Sequence, residues 1–333
     1  MTEPKFLVVR LGSLGDIVHA FPAVSGLRTS FPNAEIIWLT HPKWEFLVKT
    51  SGLATEVWTV DTRHWSNVRS ILARIRKHRF EAAVDYQGLW KSAAIPFLAR
   101  IPRRIGFSSE TIREAGVPIL YTDRVKVSAE RHVADQNAEL SMRAGARFSA
   151  GDIKLRVPED DEEVVRARIA QDGTDEYMVL SPGGGWRSKC WPAERYGLLA
   201  ETILEQFGLR SVINVGPGEE NLAAKVIQAA GNSQPIQFMG SLGQLMALLK
   251  NASAVVAGDT GPLHLADALG ARVVAIFGPT DPARNGPYQR SGVVLRWEGA
   301  ETTYKRETEP DESLLHISVD DVMSAIRGLR AAA

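Results

Sequence analysis

Short β-rich runs alternate with helical stretches along almost the whole chain, and no other feature limits its possible folds as strongly. Residues 6–10 (FLVVR) form an apolar run that ends in a glycine-rich turn. From Asp16 onward, Ile17, Phe21, Val24 and Leu27 recur at helical spacing. Further strands are expected at 35–39, 56–59 and 82–85, with helical segments between them. This βαβ rhythm predicts an α/β fold, a parallel sheet covered by helices on both faces. An acidic stretch opened by Pro158 interrupts it at 158–163. The rhythm then restarts, with strands at 177–181, 211–215, 236–238, 254–257 and 273–277 and helices at 193–207, 219–230, 242–251 and 262–269. The 333 residues therefore divide into two Rossmann-like domains, expected at 1–160 and 175–317. A last helix, 318–331, opens on a Ser318/Asp321 capping signal and is expected to pack back on the first domain. In such sheets ligands bind beyond the carboxyl ends of the strands. The chemistry is expected in strand-to-helix loops that face a cleft between the domains.

Charge and composition narrow the function classes. Hydrophobic residues make up 44% and charged residues 23%, which excludes a disordered chain. The 39 Lys and Arg balance the 39 Asp and Glu, yet residues 1–156 hold 23 basic and 15 acidic side chains, a net of +8. A basic half suits an anionic partner. The single cysteine, Cys190, excludes an intramolecular disulfide and a cysteine-rich metal site. Arg10, Asp16 and the glycines beside them interrupt the N-terminal apolar stretch, and no run is long enough to span a bilayer. A cytoplasmic protein is expected, with any membrane contact peripheral.

Four loops carry unusual residues. In Arg10-Leu11-Gly12-Ser13-Leu14-Gly15-Asp16, two glycines allow a tight turn and Asp16 opens a helix. Its carboxylate is either a first-turn cap or a general base. The loop 181–192 holds Gly183, Gly184 and Gly185, whose N–H groups can form an anion nest, and Lys189 adds a cation. At 214–220 a strand runs into Glu219 and Glu220, which either suit a helix N-terminus or hold a ribose diol. At 256–266, Asp259 and Thr260 precede a helix whose first turn holds Gly261 and Pro262, a start that favours phosphate. His264, one turn in, is either a packing histidine or a phosphate donor. No D-x-D occurs in the chain, so a diphosphate held by Lys189 and helix termini is favoured over one bridged by metal.

Together these loops resemble the lipopolysaccharide heptosyltransferase family, glycosyltransferase family 9, of the GT-B fold. The likeness rests on R-L-G-S-L-G-D-I-V-H-A-F-P-A (10–23), K-C-W-P (189–192), G-D-T-G-P-L-H-L-A-D-A-L-G (258–270) and F-G-P-T-D-P (277–282). T-R-H-W (62–65), D-Y-Q-G-L-W-K-S-A (85–93) and T-I-R-E (111–114) point to the branch that adds the first L-glycero-D-manno-heptose to Kdo–lipid A. The resemblance implies an inverting transferase with no cofactor and no metal, taking the sugar from ADP-heptose. Asp16 would be the base. Lys189, Gly184, Gly185, Thr260, Gly261 and His264 would hold the donor, Asp259 its sugar, and Glu219 or Glu220 its ribose. Ser13, Gly15, Arg63, Gln87, Lys91 and Arg113 would meet the anionic acceptor, Kdo–lipid A or a related glycolipid. Work at the cytoplasmic face of the inner membrane is implied, and no nucleic-acid partner. Three other readings use the same residues: a family glycosyltransferase with a different sugar nucleotide or acceptor, a GT-B-fold sugar-nucleotide epimerase, and a nucleotide-sugar-binding protein without catalysis.

Overall fold

In the computed structural model, residues 3–112, 114–147, 154–289 and 292–331 are described. The chain separates into two compact units, Met1–Arg156 and Val157–Ala333. The first holds a six-stranded sheet: β1 (Lys5–Val9), β2 (Glu35–Thr40), β3 (Glu56–Thr59), β4 (Ala82–Asp85), β5 (Arg104–Phe107) and β6 (Asp123–Val125). Its order is β3-β2-β1-β4-β5-β6, with every pairing parallel. The chain steps outward from β1 to β3, then returns to the other side of β1, so its topological switch lies between β1 and β4. The second unit repeats this plan with β7 (Tyr177–Ser181), β8 (Arg210–Asn214), β9 (Ile236–Phe238), β10 (Ala254–Gly258), β11 (Val273–Phe277) and β12 (Gly292–Arg296), in the order β12-β11-β10-β7-β8-β9. Its switch lies between β7 and β10. This is the α/β architecture of the GT-B fold.

The central strands are buried on both faces, which is why they read as unbroken apolar runs. Leu7 and Val9 join Ile71, Leu72, Ile75 and Ile95 in one core. Phe6 and Val8 point the other way and are equally buried. The helix expected to run on from Asp16 is in fact two, Leu14–Val18 and Phe21–Ser30. Pro22 sits in the first turn of the second. It has no N–H for the Val18 carbonyl and its ring would press on that group, so one continuous helix is not available.

Two domain expectations differ from the structure. Helix Glu159–Gln171 belongs to the second unit, where Val165 and Ile169 are buried and the helix packs on Leu242–Lys250. Lys250 pairs with Glu162 at 2.7 Å, and the Arg168 guanidinium donates to the carbonyls of Met239 and Gln237. The boundary therefore falls at 156/157 rather than after 160. The last helix, Val319–Ala331, uses its apolar face within the second unit. Val322, Met323, Ala325 and Ile326 are buried with Leu199, Ile203 and Leu314 in the core of the second unit. Its expected cap is present: Ser318 N donates to Asp321 Oδ2 at 2.8 Å, and Asp321 N to Ser318 Oγ at 3.1 Å. Among the described residues, no helix is long and apolar enough to cross a membrane.

Candidate active site

In the first unit, the loops after β1 and β4 meet at the switch point. Gly12 has φ +155, and a Cβ there would come within 2.8 Å of Trp44 Nε1, so the turn needs glycine to admit that ring. The Asp16 carboxylate accepts from Ser13 N at 2.9 Å and Ser13 Oγ at 2.8 Å through Oδ2. Its Oδ1 pairs with Arg10 Nη2 at 2.6 Å. Arg10 is buried, and its Nη1 donates to the Tyr86 carbonyl. Asp16 thus caps its own helix start while its side chain stays 43% exposed. It lines a cavity of about 310 Å³ together with Ser13, His41, Trp44, Gln87 and Lys91.

A buried carboxylate organises the β4 side of that cavity. Asp85 accepts from Gln87 N (2.9 Å), Ser92 Oγ (2.9 Å) and Tyr121 OH (2.7 Å). Burial pushes its carboxyl above the ordinary range, against those hydrogen bonds. The turn it fixes directs Gln87 Oε1 to Leu11 N at 2.7 Å, which ties the two loops together.

The remaining acceptor-side residues are placed differently. Gly15 is buried within helix Leu14–Val18 and does not line the cavity. Arg63 also stays outside, although Thr62 lines it. One edge of its guanidinium pairs with Asp61, with Nη2 to Oδ2 at 2.7 Å and Nε to Oδ1 at 3.0 Å, while the side chain is 75% exposed. Those hydrogen bonds hold the Asp61 carboxyl well below the usual range. Arg113 lies outside the described residues.

In the second unit, the loops after β7, β8 and β10 converge, because those three strands are neighbours. Lys189 Nζ donates to Asp259 Oδ2 at 2.7 Å, and His264 Nε2 lies 3.1 Å from Asp259 Oδ1. All three are buried. Burial alone would raise the Asp259 carboxyl, but the His264 hydrogen bond and the Lys189 charge hold it well below the usual range. Asp259, expected at the donor sugar, is the counter-ion of Lys189. Thr260 Oγ1, just before helix Gly261–Ala268, is buried with no hydrogen-bond partner among the described residues.

Gly184 packs on this cluster, since a Cβ there would meet Cys190 Sγ at 2.8 Å and Thr260 Cγ2 at 3.5 Å. Gly185 faces open space. The Glu219 carboxylate lies over Gly183, where a Cβ would come within 2.1 Å of Oε1, and it accepts from Gly216 N at 2.8 Å. Glu220 is exposed and accepts from Gly218 N at 3.3 Å. Of the two acids, Glu219 is the one that shares the Gly183–Lys189 loop.

An acid in a polar pocket and a buried cation beside phosphate-type loops, each at a sheet's switch point, describe a group-transfer enzyme. The profile of glycosyltransferase family 9 (heptosyltransferase) matches residues 68–314, well over half of the chain. The chain belongs to glycosyltransferase family 9. Lipopolysaccharide heptosyltransferase 1 of Escherichia coli strain K12 is 24% identical over 342 residues, covering 98% of this chain and 100% of that protein. A family 9 glycosyltransferase from Veillonella parvula shares the fold at a TM-score of 0.86, with 21% identity over 100% of this chain and 99% of that one. The E. coli heptosyltransferase WaaC with ADP-2-deoxy-2-fluoro heptose does so at 0.76, with 23% identity over 97% and 99%.

Within this family 9 glycosyltransferase, the sequence reading missed Arg10, His41 and Trp44 as site residues. His41 and Trp44 follow β2 at the same sheet edge as Asp16, so inspecting every strand-to-helix loop would have found them. Arg10 gives no such signal, because a charged residue ending a strand has many ordinary explanations. Thr280, in the F-G-P-T-D-P turn, also carries a buried hydroxyl without a partner among the described residues.

Proposed function

We propose that this glycosyltransferase moves L-glycero-D-manno-heptose from ADP-heptose to a Kdo sugar of the lipopolysaccharide inner core, with inversion and without a metal ion. The observation that carries the reading is the Asp16 carboxylate, open to a polar cavity yet held by Arg10 and Ser13. The acceptor hydroxyl attacks the anomeric carbon as the bond to the diphosphate breaks. The hydroxyl proton goes to Asp16, and the electron pair leaves with ADP. Lys91 and Gln87 are suited to an acceptor that bears carboxylates, and Arg63 keeps its Nη1 edge to offer beside the Asp61 pair. Lys189, the Thr260 hydroxyl and the Gly261 N–H stabilise charge on the leaving diphosphate, and Glu219 holds the ribose. The E. coli relative's name and the ADP-heptose analogue in the solved neighbour support this donor and acceptor. Incubation with ADP-heptose and Kdo–lipid A, following ADP release and the glycolipid product, is the direct test. ADP-heptose epimerised with no acceptor present would favour the epimerase reading.

Two outcomes follow within this subsite scheme. Transfer should continue at its full rate in EDTA, because the diphosphate's counter-charge comes from Lys189 and a helix terminus. A strict requirement for added Mg²⁺ or Mn²⁺ would refute that. Glu219→Gln should weaken ADP binding at least about tenfold, the scale of a hydrogen bond to a charged group. Glu220→Gln should stay within about twofold, as is usual for an exposed side chain. Calorimetric titration with ADP checks both, and the reverse order would exchange the two roles.

A further inference from the structure

Helix Trp90–Leu98 of the first unit turns large apolar side chains in two directions. Ser92, Ala93, Ile95 and Pro96 are buried, and Ala93 packs on Val117, Leu120 and Tyr121. Trp90 and Phe97, seven residues apart and so on one side of the helix, are exposed instead, as is Leu98. Ile119, on the neighbouring turn Val117–Leu120, is 69% exposed. The Trp90 ring lies against Gly116, where a Cβ would come within 3.1 Å, which sets it beside that turn. Four such side chains in one neighbourhood exceed the scatter of single exposed hydrophobics that any surface shows.

Cations are interleaved with them. The Arg104 guanidinium sits 5.5 Å from the Phe97 ring centre and donates to the Leu120 carbonyl at 2.7 Å. Arg76 donates to the Leu98 carbonyl at 2.8 Å, and Arg100 is exposed just beyond the helix. Glu114, at the edge, accepts from Trp90 N at 2.7 Å. Arginines stand beside the apolar side chains, at the Phe97 ring and at the Leu98 carbonyl. That mixture suits a surface of lipid phosphates over hydrocarbon.

We propose that this face docks the enzyme on an anionic phospholipid bilayer, with Trp90, Phe97, Leu98 and Ile119 entering the headgroup boundary. The inference rests on the reading that the acceptor sugar is borne by a lipid. Lys91, the residue after Trp90, lines the Asp16 cavity, so the docking face adjoins the pocket that must receive that sugar.

The test is co-sedimentation of the full chain with vesicles of phosphatidylcholine, with and without phosphatidylglycerol. The protein should sediment with the anionic vesicles, less so in high salt. Phe97→Ser combined with Ile119→Ser should cut partitioning about tenfold or more. Arg100→Gln should cut it about fivefold, the worth of one cation near an anionic surface. Both variants should keep wild-type ADP binding and wild-type transfer to a detergent-dissolved acceptor, which rules out misfolding. Wild-type protein that fails to sediment, or variants that sediment like it, would overturn the proposal. So would variants that only dissociate a dimer, since the face would then join copies of the chain. Vesicle binding without transfer to the dissolved acceptor would support the docking face and count against the acceptor reading alone.

Discussion

Asp16→Asn should lower heptose transfer by about 10²–10⁴-fold, the usual worth of a general base, while the ADP-heptose dissociation constant stays within about threefold. The amide is nearly the same shape and still presents an oxygen to Ser13 N, which now donates to Asp16 Oδ2 at 2.9 Å. What it lacks is the basic lone pair that takes the hydroxyl proton. The lost ion pair leaves the buried Arg10 guanidinium without its carboxylate, so a fall in Tm should accompany the kinetic loss. A comparison of single-turnover rates with calorimetric donor affinity separates the two effects. A variant that keeps more than about a tenth of the wild-type rate removes Asp16 from the base role.

Lys189→Met should damage both folding and donor binding, and a second substitution should separate the two losses. Lys189 and Asp259 form a buried pair at 2.7 Å, with His264 as the other partner of the carboxylate. Removing one member of a buried pair leaves an uncompensated charge and costs on the order of 3–5 kcal/mol. For a unit of this size that is about 10 °C in Tm. The Asp259 carboxyl is held below its ordinary value in the folded protein, so the stabilisation it provides is complete at neutral pH. It fades as the pH falls below about 4 and through the folded value. The deficit of Lys189→Met should therefore be largest at neutral pH and shrink on acidification. Adding Asp259→Asn removes the stranded charge and should restore most of the Tm, since the two sites are coupled. Donor affinity should stay low in the double variant, because the diphosphate still lacks its cation. Thermal melts and ADP titrations of the two variants check this, and full recovery of ADP binding would exclude Lys189 from the donor site.

Much of the fold was legible because it depends on interactions close in sequence. Apolar periodicity located the six strands of the second unit except β12, and Ser318 with Asp321 announced the last helix through bonds three residues apart. The glycine turns after β1, β7 and β10 marked the loops where Asp16, Lys189 and Asp259 reside. Residue types in those loops left Asp16 open between a helix cap and a general base, and favoured phosphate near Lys189 and Thr260. Family motifs then added the sugar and the acceptor.

Pairings across long stretches of chain were decided only by tertiary structure. Arg10 reaches Tyr86, 76 residues away, and Lys189 meets Asp259 across 70, so no local pattern encodes either contact. The choice between Glu219 and Glu220 could not be read from adjacent identical residues. Neighbouring positions at a helix start point about 100° apart, and it is Glu219 that packs against Gly183 and accepts from Gly216 N. Arg63 looked free for an acceptor because local sequence does not reveal that Asp61 takes the Nε–Nη2 edge of its guanidinium. The last helix carried an apolar face whose partner was open, and the core around Leu199 and Ile203 claimed it. Local sequence sets which elements form and which chemistry their loops can offer. Which side chains neutralise, orient or bury one another depends on how distant segments pack.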